Sequence, residues 1–285
     1  MANLKIMSNN IWCMGSNSPE WEAIGEDCSA QHRAKGFVKT YMETKPDVIG
    51  MQECTITLAD FIMQEFKKKC DIPYALLWGR DTPIIYRADK FEVIDVDYLI
   101  YPEEVPGYEG EFNNSKTKSY CVSVLKTKED GKLLIFATTH LWYKWSSGDH
   151  PATHLQPHSD EARTYQLNLL MDRVDKFIEK YNCPAIIVGD FNAPYSDDVI
   201  QSAFDRGYEH CHDIATGYKD EKDGYHLCDR TGFDRNENPL TFFEAIDHIL
   251  IKNKGNCEIK SFNRFYGDYY MCLSDHFPAW CDIEL

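Results

Sequence analysis

The sharpest apolar run in the chain is Ile186-Ile187-Val188, too short for a helix and rich in β-branched residues, so it reads as a strand covered on both faces. It ends in Gly189, and Asp190, Phe191 and Asn192 follow directly. Alternation aims Asp190 and Asn192 one way and turns Phe191 back to the core. Pro194 stops the strand, and Ser196 before Asp197 and Asp198 predicts a helix N-cap with acids in the first turn.

The same pattern extends along the chain. Residues 4–10 predict a first strand, and Ala30, Ala34, Phe37, Val38, Tyr41 and Met42 share one helical face before Pro46 ends that helix. Residues 48–52 predict a second buried strand that delivers Glu53 at its end, and residues 57–69 a helix carrying Leu58, Phe61, Ile62 and Phe66. From 74 to 139 the period changes to two, predicting strands at 74–78, 83–86, 91–98, 120–127 and 132–139, with a hairpin at Glu129-Asp130-Gly131 and an acidic loop at 102–118. His140 and an aromatic loop with Trp142, Tyr143 and Trp145 come next. The clearest helix spans 159–181, where Leu167, Leu170, Met171, Val174, Phe177 and Ile178 form a stripe. After the central strand the pattern predicts a helix near 198–206, a long polar loop to about Pro239, and strands near 245–251, 258–265 and 279–283. No repeat or linker divides the chain, so one domain over residues 1–285 is expected.

Composition narrows the function. Hydrophobic residues make up 43% of 285, enough for a substantial core, and no stretch is long and apolar enough to span a bilayer. The start, M-A-N-L-K-I-M-S-N-N, lacks the features of a signal peptide, and the 11 scattered cysteines include no C-x-x-C pair. Both point to a soluble cytoplasmic protein with reduced, mostly buried thiols. The 46 acids against 30 bases give a net charge of -16, whereas proteins that hold long nucleic acids usually carry a basic stripe. Lys67 to Lys69, the tight basic run, reads as the solvated end of a helix. Nucleic acid is a partner that the charge disfavours, and no protein partner is evident.

The polar residues at predicted strand ends are Asn10, Glu53, His140, Asp190, Asn192, Asp247, Asp275 and His276. Carboxylates and amides converging from several strands suit a hard, oxygen-seeking cation, and a His-Asp pair adds a polarised proton carrier. Together they fit metal-assisted hydrolysis of a phosphate ester.

N-I-W at Asn10, M-Q-E at Glu53, T-T-H-L at His140, G-D-F-N at Asp190 and Asn192, I-D-H-I-L at Asp247 and S-D-H-F-P at Asp275 and His276 occur in order from end to end. In these motifs the chain resembles the endonuclease/exonuclease/phosphatase superfamily, which includes pancreatic-type deoxyribonucleases, apurinic endonucleases, inositol polyphosphate 5-phosphatases, neutral sphingomyelinases and deadenylases. The resemblance implies an α/β fold of the four-layer α/β/β/α sandwich type: two packed, mostly antiparallel sheets flanked by helices. It implies Glu53 as the principal Mg²⁺ ligand with Asn10 and Asp275 nearby, Mn²⁺ being the alternative ion. Asp190, helped by Asn192, matches the residue that orients or deprotonates the attacking water. His276, paired with Asp247, matches the group that holds the scissile phosphate, and His140 a second phosphate contact or proton donor. The resemblance leaves open how Asp190 and the histidines divide the proton roles.

The expected activity is Mg²⁺-dependent hydrolysis of a small or medium phosphodiester or phosphomonoester. A nuclease of the same superfamily is the alternative. A non-catalytic binding relative is a third reading; it predicts decay of the metal or water-activating residues, which are all present.

Weaker signals remain. His150, His154 and His158 are spaced by four, but Pro151 and Pro157 favour a solvated loop, and His210, Cys211, His212, His226 and Cys228 match no zinc-finger spacing. Arg163 and Gln166 read as structural hydrogen-bonding residues on the long helix. Trp142, Tyr143 and Trp145 either wall the pocket or pin their own loop, and Phe242, Phe243, Tyr266, Tyr269 and Tyr270 carry the same two readings.

Overall fold

Two strands beside parallel neighbours set the architecture. A parallel neighbour cannot be reached through a tight turn, so the chain must cross over, and a helix usually makes the crossing. β1 (Asn3–Asn10) reaches parallel β2 (Val48–Gln52) through α1 (Ala30–Thr44), and β7 (Leu133–His140) reaches parallel β8 (Ala185–Asp190) through α3 (Ser159–Tyr181). A computed structural model describes residues 2–12, 23, 25–143, 156–220 and 245–285.

The remaining elements in chain order are α2 (Ile56–Lys69), β3 (Tyr74–Leu77), β4 (Ile84–Arg87), β5 (Phe91–Ile100), β6 (Ser119–Thr127), α4 (Asp198–Asp205), β9 (Glu209–His210), α5 (Cys211–Ile214), β10 (Asp247–Lys252), β11 (Glu258–Arg264) and β12 (Ala279–Glu284). They build two six-stranded sheets, β11-β12-β1-β2-β4-β3 and β5-β6-β7-β8-β10-β9, whose other pairings are all antiparallel.

Alternation explains the layering. Ile6, Val48, Phe136, Ile186, Val188, Ile249 and Cys281 meet between the sheets. Met7, Ile49 and Met51 turn outward onto Phe37, Tyr41, Leu58 and Phe66 of α1 and α2, while Val122, Ile135 and Ile187 turn onto Leu167, Leu170, Met171 and Val174 of α3. The result is the four-layer α/β sandwich that the motifs imply. Among the described residues no helix is long and apolar enough to cross a membrane. The nine described cysteines are all free, seven of them buried; Cys13 and Cys228 lie outside the described residues.

Two glycines let the layers close around the site. A Cβ at Gly50 of β2 would lie 2.4 Å from Val188 Cγ2 and 2.7 Å from Thr138 Cβ, so the sheets approach there only because side-chain volume is missing. At Gly189, φ is +157° and a Cβ would lie 2.2 Å from the Thr139 carbonyl oxygen, which fixes glycine next to Asp190.

Several local expectations shift. Asp197, not Ser196, caps α4, its carboxylate accepting from Val199 N–H at 3.3 Å; either residue type serves as a cap. Met42 is 40% exposed, whereas Arg33 on the same helix is buried. The region read as a polar loop after α4 holds β9 and α5, too short to leave a periodic signal, and β9 is defined by pairing with Ile251 and Leu250. His140 is the last residue of β7 rather than the first of a loop.

Candidate active site

Strand register assembles the site. His140, Asp190 and Asp247 lie directly opposite one another on β7, β8 and β10, so one imidazole and two carboxylates stand in a row across adjacent strands. In the facing sheet Asn10 pairs with Gln52, which places Glu53 one residue beyond β2. Gln52 Nε2 donates to Thr138 Oγ1 at 2.8 Å, and that hydroxyl donates to Met51 O at 3.1 Å, tying the sheets together just behind these residues.

Asn10 is the bridge between the two sets. Its Nδ2 donates to Asp190 Oδ2 at 2.9 Å and to Glu53 Oε1 at 3.3 Å, while its Oδ1 accepts from Trp12 N–H at 2.9 Å. In this arrangement the amide orients two acids through its hydrogens. Glu53 itself has φ of 57°, a left-handed conformation costing a non-glycine residue roughly 1–2 kcal/mol, held at the mouth of a buried strand.

The S-D-H segment is fixed from two sides. Ser274 Oγ donates to Asn10 O at 2.7 Å and accepts from His276 N–H at 3.1 Å. Arg33, buried on α1, donates to the carbonyls of Leu273, Ile11 and Trp12, clamping the residues after β1 against those before Ser274. Nothing in the apolar periodicity marks Arg33, because its role lies in carbonyls distant in sequence.

His276 Nδ1 lies 2.5 Å from Asp247 Oδ2, and its Nε2 is 3.8 Å from both Asp190 Oδ2 and Asp275 Oδ1. On the other flank of Asp190, His140 Nε2 is 3.5 Å from Asp190 Oδ2 and 3.8 Å from Glu53 Oε1. Asn192 is off the strand, with φ of 50°. Its N–H donates to Asp190 Oδ1 at 2.8 Å and its Nδ2 to Leu141 O at 3.0 Å, so it orients Asp190 instead of standing beside it on a continued strand.

The two histidines are held in opposite charge states. Burial alone would lower His276, but Asp247, then Asp275, outweigh it and raise it well above the usual imidazole range. Burial, reinforced by Lys118, takes His140 well below that range, leaving it neutral. Burial raises Asp190, against the pull of His276 and Lys118. Asp81, on the β3–β4 connection, is pushed up to about 6, chiefly by burial.

Lys118 is the residue the sequence pattern missed. It precedes β6 at the end of what reads as an acidic loop, yet it is buried with Nζ against the His140 ring.

Among the described residues, the groups of three or more metal-capable side chains with ligand atoms within 4.8 Å of one another are Glu53-His140-Asp190 and Asp190-Asp247-His276. Three carboxylates and a neutral imidazole form an oxygen-rich donor set that fits a hard divalent cation.

The weaker signals resolve differently. His158 Nδ1 lies 3.7 Å from Glu161 Oε1 on the surface, and His150 and His154 lie outside the described residues, as do Trp145, His226, Cys228, Phe242 and Phe243. Gln166 accepts from Trp142 N–H at 2.8 Å and donates to Phe112 O at 3.1 Å, and Arg163 pairs with Asp160. Trp142 is buried and Tyr143 stacks against it at 4.3 Å, half-exposed beyond His140. Tyr270 belongs to the core, its hydroxyl accepting from Asn9 Nδ2 at 2.6 Å, while Tyr266 donates to Asp220 and Tyr269 to Glu43.

His210, His212 and His248 form a structural chain. His248 Nε2 donates to Ala193 O at 2.8 Å, its Nδ1 faces His210 Nε2 at 3.2 Å, and His210 Nδ1 accepts from His212 N–H at 3.2 Å. Burial, then His248, holds His210 well below the usual range. Below pH of about 6.5 the unfolded chain therefore binds a proton that the folded one refuses, and stability falls by about 1.4 kcal/mol per pH unit for this group. Urea unfolding at stepped pH checks this: His210→Gln should flatten the acid-side loss by about that slope.

A sequence profile of the Endonuclease/Exonuclease/phosphatase family matches residues 16–276. The chain belongs to that family. Family members are hydrolases of phosphate esters, and this one is an enzyme of that class. Among solved structures, the mannosyl-6-phosphatase Bt3783 of Bacteroides thetaiotaomicron is 18% identical, with 99% of this chain and 100% of that chain covered and a TM-score of 0.70. D. rerio TDP2, complexed with a single-strand DNA product, is 17% identical over 100% of both chains, with a TM-score of 0.66. The human Nocturnin catalytic domain with bound sulfate is 14% identical, covering 99% and 94%, with a TM-score of 0.63. At these identities the likeness is one of fold. No curated protein matches this family member.

Proposed function

We propose that the protein is a Mg²⁺-dependent phosphoesterase, one catalytic domain over residues 1–285, acting in the cytoplasm on a small or medium phosphodiester or phosphomonoester. The observation that carries this reading is Asp190, flanked by a neutral and a cationic histidine and tied through Asn10 to Glu53.

Glu53 and Asp275 would hold the metal, with Asn10 beside them. When bound, it supplies positive charge to the phosphate oxygens and acidifies water. Asp190, oriented by the Asn192 N–H, takes the proton from the attacking water as its oxygen bonds to phosphorus and the bond to the leaving oxygen breaks. His276, kept cationic by Asp247, offsets the charge building on a non-bridging oxygen. The leaving oxygen is then protonated from the site, where His140 is one proton carrier within reach of Asp190.

The net charge of -16 supports small substrates over long duplex DNA. The half-exposed Tyr143, stacked on Trp142, favours a nuclease as the second reading, since such a ledge accepts a base, and the related fold of TDP2 is found with a DNA product. Assaying a small aromatic diester, a sugar phosphate, single-stranded RNA and nicked duplex DNA in a salt series separates the two. Small esters should turn over with little salt dependence. Cleavage of polynucleotides alone, weakening roughly 10³-fold or more between about 50 and 200 mM salt, would replace the leading reading by the nuclease.

A further inference from the structure

We propose that Lys118 is a substrate-binding residue of the active site, its ammonium donating to a non-bridging oxygen of the phosphate undergoing hydrolysis. The inference rests on the phosphoesterase reading above and adds to it a cation that the motifs do not contain.

Lys118 is 5% exposed, and an ion removed from water to that degree costs several kcal/mol unless something compensates it. Structural lysines usually meet that cost by pairing with a carboxylate. Here the ammonium rests on His140, 3.2 Å from Nδ1 and in contact with Nε2, and among the described residues these are its hydrogen-bond contacts. A neutral imidazole accepts one hydrogen bond, leaving two of the three ammonium donors for an anion. The Tyr143 ring lies 5.6 Å from Nζ and closes one side. Glu53, Asp190 and Asp81 act on the ammonium through space and retain its charge against burial.

The backbone is built to hold this position. Asn113, fully buried, donates from Nδ2 to Lys118 O at 2.8 Å and to Tyr101 O at 2.7 Å, and its Oδ1 accepts from Lys118 N–H at 2.9 Å. Tyr101 N–H adds a bond to Lys118 O at 3.0 Å. The connection from β5 to β6 thus folds back to fix one lysine beside the row of His140, Asp190 and Asp247. With Glu53, Asp190, Asp247 and Asp275 crowded together, an incoming phosphate meets strong repulsion, and Lys118 together with His276 counters it from within the protein. Lys118 moves no proton in this role; it binds and stabilises charge.

The test compares wild type, Lys118→Met and Lys118→Arg in the full chain with Mg²⁺, reading kcat and KM on a hydrolysed ester and the inhibition constant of inorganic phosphate. Loss of a charge-assisted contact predicts roughly 10- to 100-fold weaker inhibition by phosphate in Lys118→Met and at least as large a fall in kcat/KM. Lys118→Arg, which keeps the charge, should recover most of the phosphate binding. A merely structural lysine would lower the melting temperature and leave the phosphate constant of the remaining folded enzyme unchanged. A wild type that turns over esters while Lys118→Met binds phosphate within about twofold of it overturns the assignment of Lys118 alone. A wild type that neither turns over esters nor binds phosphate overturns the phosphoesterase reading with it.

Discussion

Asp190→Asn should lower kcat for ester hydrolysis by about 10⁴-fold while leaving the melting temperature equal to that of the wild type or above it. The two halves of this result have one cause. Asp190 is buried at the end of β8 and its carboxyl is raised by that burial, so the ionised form needed to take a proton from water costs the folded state stability. The amide keeps the shape and can still meet Asn192 N–H and Asn10, but it has no basicity. A residue present only to hold the strand ends together would show the reverse: little change in rate and a lower melting point. Steady-state kinetics and thermal melts on the same preparations separate the two.

The second large effect is that of Asp247→Asn. Asp247 is the first of the groups that raise His276, so its neutral replacement should let burial dominate and bring the imidazole down through neutral pH. Loss of a preorganised cation predicts a fall in kcat of roughly 10²- to 10³-fold. The pH profile carries the diagnostic: His276 is active when protonated, so activity is lost as pH rises through its pKa. The alkaline limb of the variant should therefore lie at lower pH than that of the wild type. A uniform drop in rate with the limb unmoved would mean that Asp247 acts on something other than His276.

How much of this the sequence revealed depended on the range of the signal. The strands ending at Asn10, Gln52, His140 and Asp190 were readable because buried strands leave apolar runs, and the polar residues at their ends stood out against them. The sandwich and the site followed from motif order, which periodicity alone would not have given. Lys118 and Arg33 were invisible for a physical reason: each is a cation whose meaning lies in partners far along the chain, and from the sequence alone each passes for a solvated side chain. β9 and α5 escaped because elements of two and four residues carry no period. Asn10 shows a subtler gap. Its place at the metal side was foreseen, but not that its amide hydrogens would join Glu53 to Asp190.

The most direct measurement is turnover of the ester panel as a function of Mg²⁺, by wild type and Glu53→Gln, before and after chelation with EDTA. Predicted are turnover that disappears on chelation and returns with added Mg²⁺, and a Mg²⁺ requirement in Glu53→Gln raised by roughly 10- to 100-fold, as expected when one charged ligand becomes neutral. Turnover indifferent to chelation, or to the loss of the Glu53 charge, would contradict the account, as would a wild type that hydrolyses none of the esters with the metal present.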